Sequence, residues 1–322
     1  MMGDIVIVKK GSGKAPGRNL LAELIKNRTA YIMCLPCVLL LFVFNYLPMG
    51  ALIIAFKNYK FNEGIFGSEW ASPIYENIRF FFTSGYAFRV TRNTILLNLV
   101  FIASGVVFEV GFALMLTEIG SGVFKKLAQG FSFFPNFVSW IVVSVITYNL
   151  FKNNGGSINT LLVSLGQKRQ DWYSNPGVWP LIMTLLIRWK GTGAGAIIYL
   201  ASIVGIDTEY YEAAKIDGAT RFKQITHITL PLLAPTVIIM TLLAIGHIMN
   251  ADFGMFYSII GENARLYPTM DVIDTFVFRS LRKYGDVGMS SATGLYQSVI
   301  SFILVLASNM LARKYDRGAA LF

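Results

Sequence analysis

Six stretches in which apolar residues run nearly unbroken organise this chain, at about 31–55, 93–117, 131–151, 178–204, 231–257 and 290–312. Each is long enough for an α-helix to cross the roughly 30 Å of hydrocarbon in a bilayer. Strand-type alternation is absent from them, which argues against a β-barrel. The pattern predicts an all-α membrane protein whose six transmembrane helices fill residues 31–312. Pro36 and Pro48 fall in or at the end of the first span, where a kink is tolerated if neighbours satisfy the freed carbonyls.

The segment ahead of the first span reads differently. Residues 1–30 carry Lys9, Lys10, Lys14, Arg18, Lys26 and Arg28, while Leu20, Leu21, Leu24 and Ile25 recur at helical spacing. This predicts a basic cytoplasmic tail with an amphipathic helix lying on the membrane surface. A cleaved signal peptide is the competing reading, but the apolar run is too long and no small-residue cleavage site follows. Residues 313–322 are expected to form a second short tail. No internal repeat is visible.

Composition supports a bilayer protein and narrows its chemistry. Of 322 residues 54% are apolar and 14% charged, against roughly 25% charged in soluble domains; mean hydropathy is +0.55. Six spans and their loops leave no room for a sizeable soluble domain. The net charge of +10 is spread along the chain without a basic block, so nucleic acid is not an expected partner. It is better explained by topology. With the N-terminus cytoplasmic, the inside segments hold 14 Lys and Arg against 12 in the longer outside segments. Both termini are therefore expected in the cytoplasm.

The loop between the fourth and fifth spans, 205–230, is the most informative stretch. It reads Tyr211-Glu212-Ala213-Ala214-Lys215-Ile216-Asp217-Gly218, followed after nine residues by Ile228-Thr229-Leu230-Pro231. Glu212 to Ile216 suit a short helix, stopped at Asp217-Gly218 by a glycine free to take positive φ. A second helix is expected from about Ala219 to His227, bearing Arg221 and Lys223, with Pro231 opening the next span. The product would be a stiff helix–turn–helix.

The pattern E-A-A-x3-G-x9-I-x-L-P is matched at every specified position. It resembles the coupling loop of the membrane subunits of ATP-binding-cassette (ABC) importers, the permeases with a MetI-like fold. Gln129 to Val143, Asp271 to Arg279 (D-V-I-D-T-F-V-F-R) and Asn93-Thr94 look more narrowly like permeases for oligosaccharides and polysaccharide fragments. The resemblance implies a type I importer permease in the bacterial inner membrane. It also implies a second homologous permease (a heterodimer), a dimer of cytoplasmic ATP-binding subunits and an extracytoplasmic solute-binding protein. Glu212, Ala213, Ala214, Asp217, Gly218 and Arg221 would meet the ATPase.

No G-x4-G-K-[ST] occurs, and Gly11-Ser12-Gly13-Lys14 is too short for one. ATP and Mg are therefore expected on partner subunits, with no cofactor and no catalytic activity here. Cys34 and Cys37 form C-L-P-C inside an apolar span and read as small apolar fillers. With only two His, neither metal sites nor hydrolytic triads are expected.

Polar groups inside spans need a reason, since a charge at mid-helix costs about 2.5–3.5 kcal/mol on insertion scales. Arg188-Trp189-Lys190 lies near the middle of the fourth span, followed by Gly191, Gly193 and Gly195. Aromatic faces stack on sugars and the two cations suit hydroxyls or carboxylates, so the trio is a candidate substrate path favouring an acidic, uronate-containing cargo. Trp189 also sits at a spacing from Glu212 that resembles a sugar-contacting tryptophan of maltose-type permeases. Neutralising Glu109 or Asp252 is the other reading of the two cations. In the fifth span His247 and Asn250 are expected to share a helical face, as substrate-path residues or as packing contacts. Glu109 and Asp252 are expected to be structural charges. The competing function, an ion-coupled secondary transporter, would use Glu109, Asp252 and His247; the loop motif argues against it.

Overall fold

The computed structural model describes residues 26–120 and 122–315. The surface helix expected around Leu20–Ile25 lies outside the described residues, as does the C-terminal tail beyond Tyr315. The chain divides into two compact units, Met1–Leu52 and Ile53–Phe322.

The first unit holds α1 (Arg28–Leu41), which continues through a π-helical stretch at Phe42–Tyr46 into a tighter 3-10 segment, Leu47–Phe56. No residue of α1 is buried by the chain itself. A helix that is apolar all round is suited to lipid or to another subunit. Cys34 and Cys37 are free and exposed on it.

The second unit contains α2 (Glu76–Thr83), α3 (Tyr86–Glu118), α4 (Gly122–Phe133), α5 (Trp140–Phe151), α6 (Ser157–Ser164) and α7 (Trp179–Val204). There follow α8 (Thr208–Ile216), α9 (Arg221–Gln224), α10 (Leu230–Gly246), α11 (Phe253–Ile259), α12 (Ile273–Arg282) and α13 (Val287–Tyr315). The 33-residue α3 is the central post. Its Leu97 and Phe101 join Trp179, Met183 and Phe256 in one apolar cluster. Ala87 and Val90 join Phe81, Ile273 and Phe276 in a second. Val110, Ala113 and Leu116 join Tyr199, Ile203 and Leu233 in a third.

Five helices are long and apolar enough to cross a membrane, and a sixth crossing exists only as a bent pair. The expected third span, 131–151, is not one helix. α4 passes through a tight turn at Phe134–Phe137, and α5 leaves at 94°. Pro135 sits at the start of that turn and Val138 and Ser139 are extended; Ser139 Oγ then accepts the Val142 N–H and starts α5. A bend leaves the apolar composition unchanged, so hydropathy alone does not reveal it.

The fifth span is also displaced, running from Arg221 to Gly246 rather than 231–257. Beyond Gly246 the chain turns at His247–Met249, and Asp252 caps the separate α11 through its Oδ1, which accepts the Met255 N–H. His247 and Asn250 therefore do not share a helical face.

Candidate functional site

The 205–230 loop is built from local chemistry. Asp207 Oδ1 accepts the Glu209 N–H at 3.0 Å and starts α8, four residues before the expected Glu212. At its end the Ala219 N–H reaches the Ala214 carbonyl at 2.8 Å and the Gly218 N–H reaches Lys215 at 3.0 Å. This double closure requires a left-handed residue, and Gly218 has φ +73°. A Cβ there would meet nothing within 4 Å, so the glycine serves conformation and not space. Thr220 Oγ1 accepts the Lys223 N–H and caps α9.

The second helix of the loop does not stop at His227. It runs through a π-helical stretch, Ile225–Thr229, straight into α10. Pro231 has no N–H to give the ladder and would crowd the preceding turn; the wider turn ahead of it, with the Leu230 N–H bonded back to Ile225, accommodates that defect.

One tie closes the loop on itself and a second holds it to α3. Tyr211 Oη pairs with Thr229 Oγ1 at 2.9 Å, and Arg221 Nε lies 3.6 Å from Glu118 Oε2 at the end of α3. Arg221 thus turns toward this chain, and Gln224 is buried beneath it. Glu212, Ala213, Asp217 and Gly218 are exposed, Ala214 half-buried. Beside them stand three bare apolar side chains: Ile216 at 87% exposure, Phe222 at 75% and Tyr210 at 57%.

The predicted trio of α7 points three ways. Arg188 is buried and pairs through Nη1 with Glu109 Oε1 of α3 at 3.0 Å. A Cβ on Gly105 would lie 2.6 Å from Arg188 Nη1, and one on Gly195 would collide with the Glu109 carboxylate. A Cβ on Gly193 would collide with the Ser132 carbonyl of α4. Gly193 and Gly195 are therefore clearances that let α4 and α3 approach α7, whereas a Cβ on Gly191 would meet nothing within 4 Å. Arg188 separates two cavities, of about 230 and 430 Å3. Trp189 lines the larger one with Phe108, Phe112 and Phe131, and is 49% exposed. Arg188 Nε and Thr192 Oγ1 are buried without a partner among the described residues.

Lys190 faces elsewhere, toward the bend between α4 and α5. Its Nζ donates to the Asn136 carbonyl at 2.6 Å and stands 5.3 Å from the Trp140 ring centroid. Trp140 Nε1 in turn donates to Asp252 Oδ2 at 2.6 Å. Asp252 is a cap and an indole acceptor; among the described residues it forms no ion pair, contrary to the expectation that Lys190 or Arg188 neutralises it.

The break at 247–252 is held from three helices. Asn98 Nδ2 of α3 donates to the Ile248 carbonyl at 2.8 Å, and Gln297 Nε2 of α13 to the Met249 carbonyl at 2.9 Å. The Ala251 N–H donates to Asp274 Oδ2 of α12 at 2.8 Å. Irregular backbone in an apolar setting survives only when such groups are satisfied. His247 and Asn250 are exposed, Asn250 accepting from Ser301 at 3.2 Å. Asp274 lies outside the spans, and burial pushes its carboxyl above the usual range despite hydrogen bonds from Ala251 and Gln297.

Two stretches separated in the sequence meet at the end of α3 nearest its N-terminus. Asn93 Nδ2 donates to the Tyr267 and Asp271 carbonyls, and Thr94 Oγ1 accepts the Ile273 N–H at 3.0 Å. The carboxylate of Asp271, 1% exposed, accepts from Arg279 at 2.8 and 2.9 Å and from Arg89 at 2.9 Å. Trp140, Glu118, Asn98, Gln297 and Asp274 were not foreseen. Trp140 and Asp274 lie in the stretches Gln129 to Val143 and Asp271 to Arg279, but nothing local assigned either of them a partner.

Comparison with known proteins agrees with this architecture. The chain is 34% identical over 312 residues to the polygalacturonan/rhamnogalacturonan transport system permease protein YteP of Bacillus subtilis, covering 97% of this chain and 95% of that one. It is likewise 34% identical to protein LplB of B. subtilis over 301 residues, covering 94% and 93%. Among solved structures it is similar to a chain of a bacterial ABC transporter involved in the import of the acidic polysaccharide alginate. There the TM-score is 0.81 at 27% identity, over 93% of this chain and 100% of that one. The family model for binding-protein-dependent transport system inner membrane components matches residues 109–317, from the ion-pair glutamate through both breaks and the loop. The chain belongs to that family, the MetI-like permeases of ABC importers.

Proposed function

We propose that this chain is the transmembrane subunit of an ATP-driven, solute-binding-protein-dependent importer of an acidic, uronate-containing oligosaccharide. It works with a second homologous permease, two cytoplasmic ATPase subunits that bind ATP and Mg, and an extracytoplasmic binding protein. Both termini face the cytoplasm. The acidic cargo is supported by the relatives, one a permease for polygalacturonan and rhamnogalacturonan and one from an alginate importer.

The observation that carries the coupling is the loop itself. Three large apolar side chains stand bare on a stiff turn that its own chain ties down at Thr229 and Glu118. A cluster of bare apolar side chains on a polar loop is the kind of surface that marks a protein contact. Displacement of the turn by a closing ATPase dimer passes into α9 and α10, an unbroken 26-residue path from Arg221 to Gly246. At about 1.5 Å per residue it spans roughly 39 Å. It delivers the motion to the break at 247–252, beside Trp140 and Lys190.

The test is cargo-stimulated ATP hydrolysis by the reconstituted four-component importer. Glu212→Lys or Phe222→Asp is expected to uncouple hydrolysis from cargo while the two permeases still assemble. Undiminished transport by both variants would overturn the coupling role, and uptake that followed an ion gradient without ATP would overturn the importer reading.

A further inference from the structure

We propose that Lys190, and not its neighbour Arg188, is the residue that reads the cargo's carboxylates, with Trp140 and Asp252 as its positioning residues. This rests on the acidic-oligosaccharide reading above and identifies the side chain that would carry it out.

The charges of the second unit separate the candidates. Arg188 is spent on Glu109, and Arg89 and Arg279 on Asp271. Arg221 faces Glu118 and Lys283 faces Glu262. Arg92 and Lys190 both sit in span helices without an ion-pair partner among the described residues. Arg92 is taken up by Asn93 Oδ1 and the Pro268 carbonyl beside the Asp271 cluster, while the neighbours of Lys190 are one carbonyl and one indole face. An ammonium has three N–H donors, and one of them is used on Asn136. An unneutralised cation in a membrane span is expensive and calls for a reason.

Its surroundings hold it in place without cancelling it. The Trp140 ring attracts the ammonium through its negative face, while its indole N–H is anchored by Asp252, whose other oxygen caps α11. The residue thus stands where two interrupted helices meet, α4–α5 at 134–139 and α10–α11 at 247–252. The Asn136 and Asp252 sides are exposed. Irregular backbone at such depth occurs where it lines a cavity or is buried in protein. A carboxylate arriving there meets the two remaining donors of Lys190; one arriving at Arg188 meets a guanidinium already bound to Glu109.

The experiment measures ATP-dependent uptake by the complete importer in proteoliposomes. The probes are galacturonate, mannuronate and guluronate trisaccharides and their fully methyl-esterified forms. The wild-type importer is expected to prefer at least one acid over its ester. Lys190→Gln should raise KM for that acid about tenfold to a hundredfold, the loss of one charge-assisted contact, and leave the ester unchanged. Lys190→Arg should restore most of the preference. Trp140→Phe, which frees Asp252, should weaken it less. A Lys190→Gln variant that slows acid and ester equally, or a preference lost only in Arg188→Gln, would overturn the assignment to Lys190 while leaving the acidic cargo standing. A wild-type importer that carries acid and ester alike, or neither, would remove the acidic reading and this inference together.

Discussion

Two ion-pair clusters in this chain make opposite use of arginine. At Asp271 a fully buried carboxylate takes hydrogen bonds from Arg279 and Arg89, while Asn93 fastens the backbone of the same residue to α3. At Glu109 a partly exposed carboxylate meets a single Arg188 nitrogen, and Arg188 lines a cavity with Glu109 and a second one without it; Arg188 and Arg89 alike keep a buried Nε without a partner among the described residues. The first is a clamp that joins α3 to the 247–286 segment. The second is a joint between α3 and α7, made possible by glycines that let the helices approach closely. The difference lies in the number of bonds to the carboxylate, three at Asp271 against one at Glu109, and in the open space beside the second.

The contrast is open to direct attack. Asp271→Ala leaves two arginines facing a buried gap and is expected to cost about 3–5 kcal/mol, read as lost yield and a lowered thermal midpoint in detergent micelles. Glu109→Ala should cost less, about 1–3 kcal/mol, because only one hydrogen bond to a partly exposed carboxylate is lost. Equal losses at the two sites would erase the distinction between clamp and joint. Gly195→Ala drives a methyl into the Glu109 carboxylate and is expected to cost about 1–3 kcal/mol. That penalty should vanish in a Glu109→Ala background; additivity in the double-mutant cycle would refute the clearance role of the glycine.

The smallest effect concerns pH. Asp274 has a carboxyl raised by burial, so it holds its proton more tightly folded than unfolded. Its contribution to stability is greatest below the ordinary aspartate range and is lost as pH rises through the raised value. Asp274→Asn should flatten the slope of midpoint against pH in that window, and an unchanged slope would assign the dependence elsewhere.

Much of this was legible from residues alone. Five spans followed from runs of apolar side chains, and the first turn of the loop from a residue whose role is local, the left-handed Gly218; the helix start expected at Pro231 instead lies inside the continuous helix Arg221–Gly246. The misplaced elements share one physical cause. The bend at 134–139 and the break at 247–252 lie in apolar or mixed sequence whose backbone groups are satisfied from afar, by Lys190, Asn98, Gln297 and Asp274. Glu109 and Arg188 are 79 positions apart, and either of two acids was an equal partner until α3 and α7 were seen to cross. Local rules see caps; they do not see who supplies the missing hydrogen bond.

The π-helical stretch Ile225–Thr229 fixes a direction. A wide turn of this kind holds one residue more than an α-helical turn, and each residue of an α-helix advances about 100° around the axis. The azimuth at which Phe222 and Ile216 leave the membrane is therefore set by a single surplus residue. Remove it, and the same side chains, in the same order, would face a different direction, with Tyr211 no longer opposite Thr229. What the loop presents is set by phase as well as by surface.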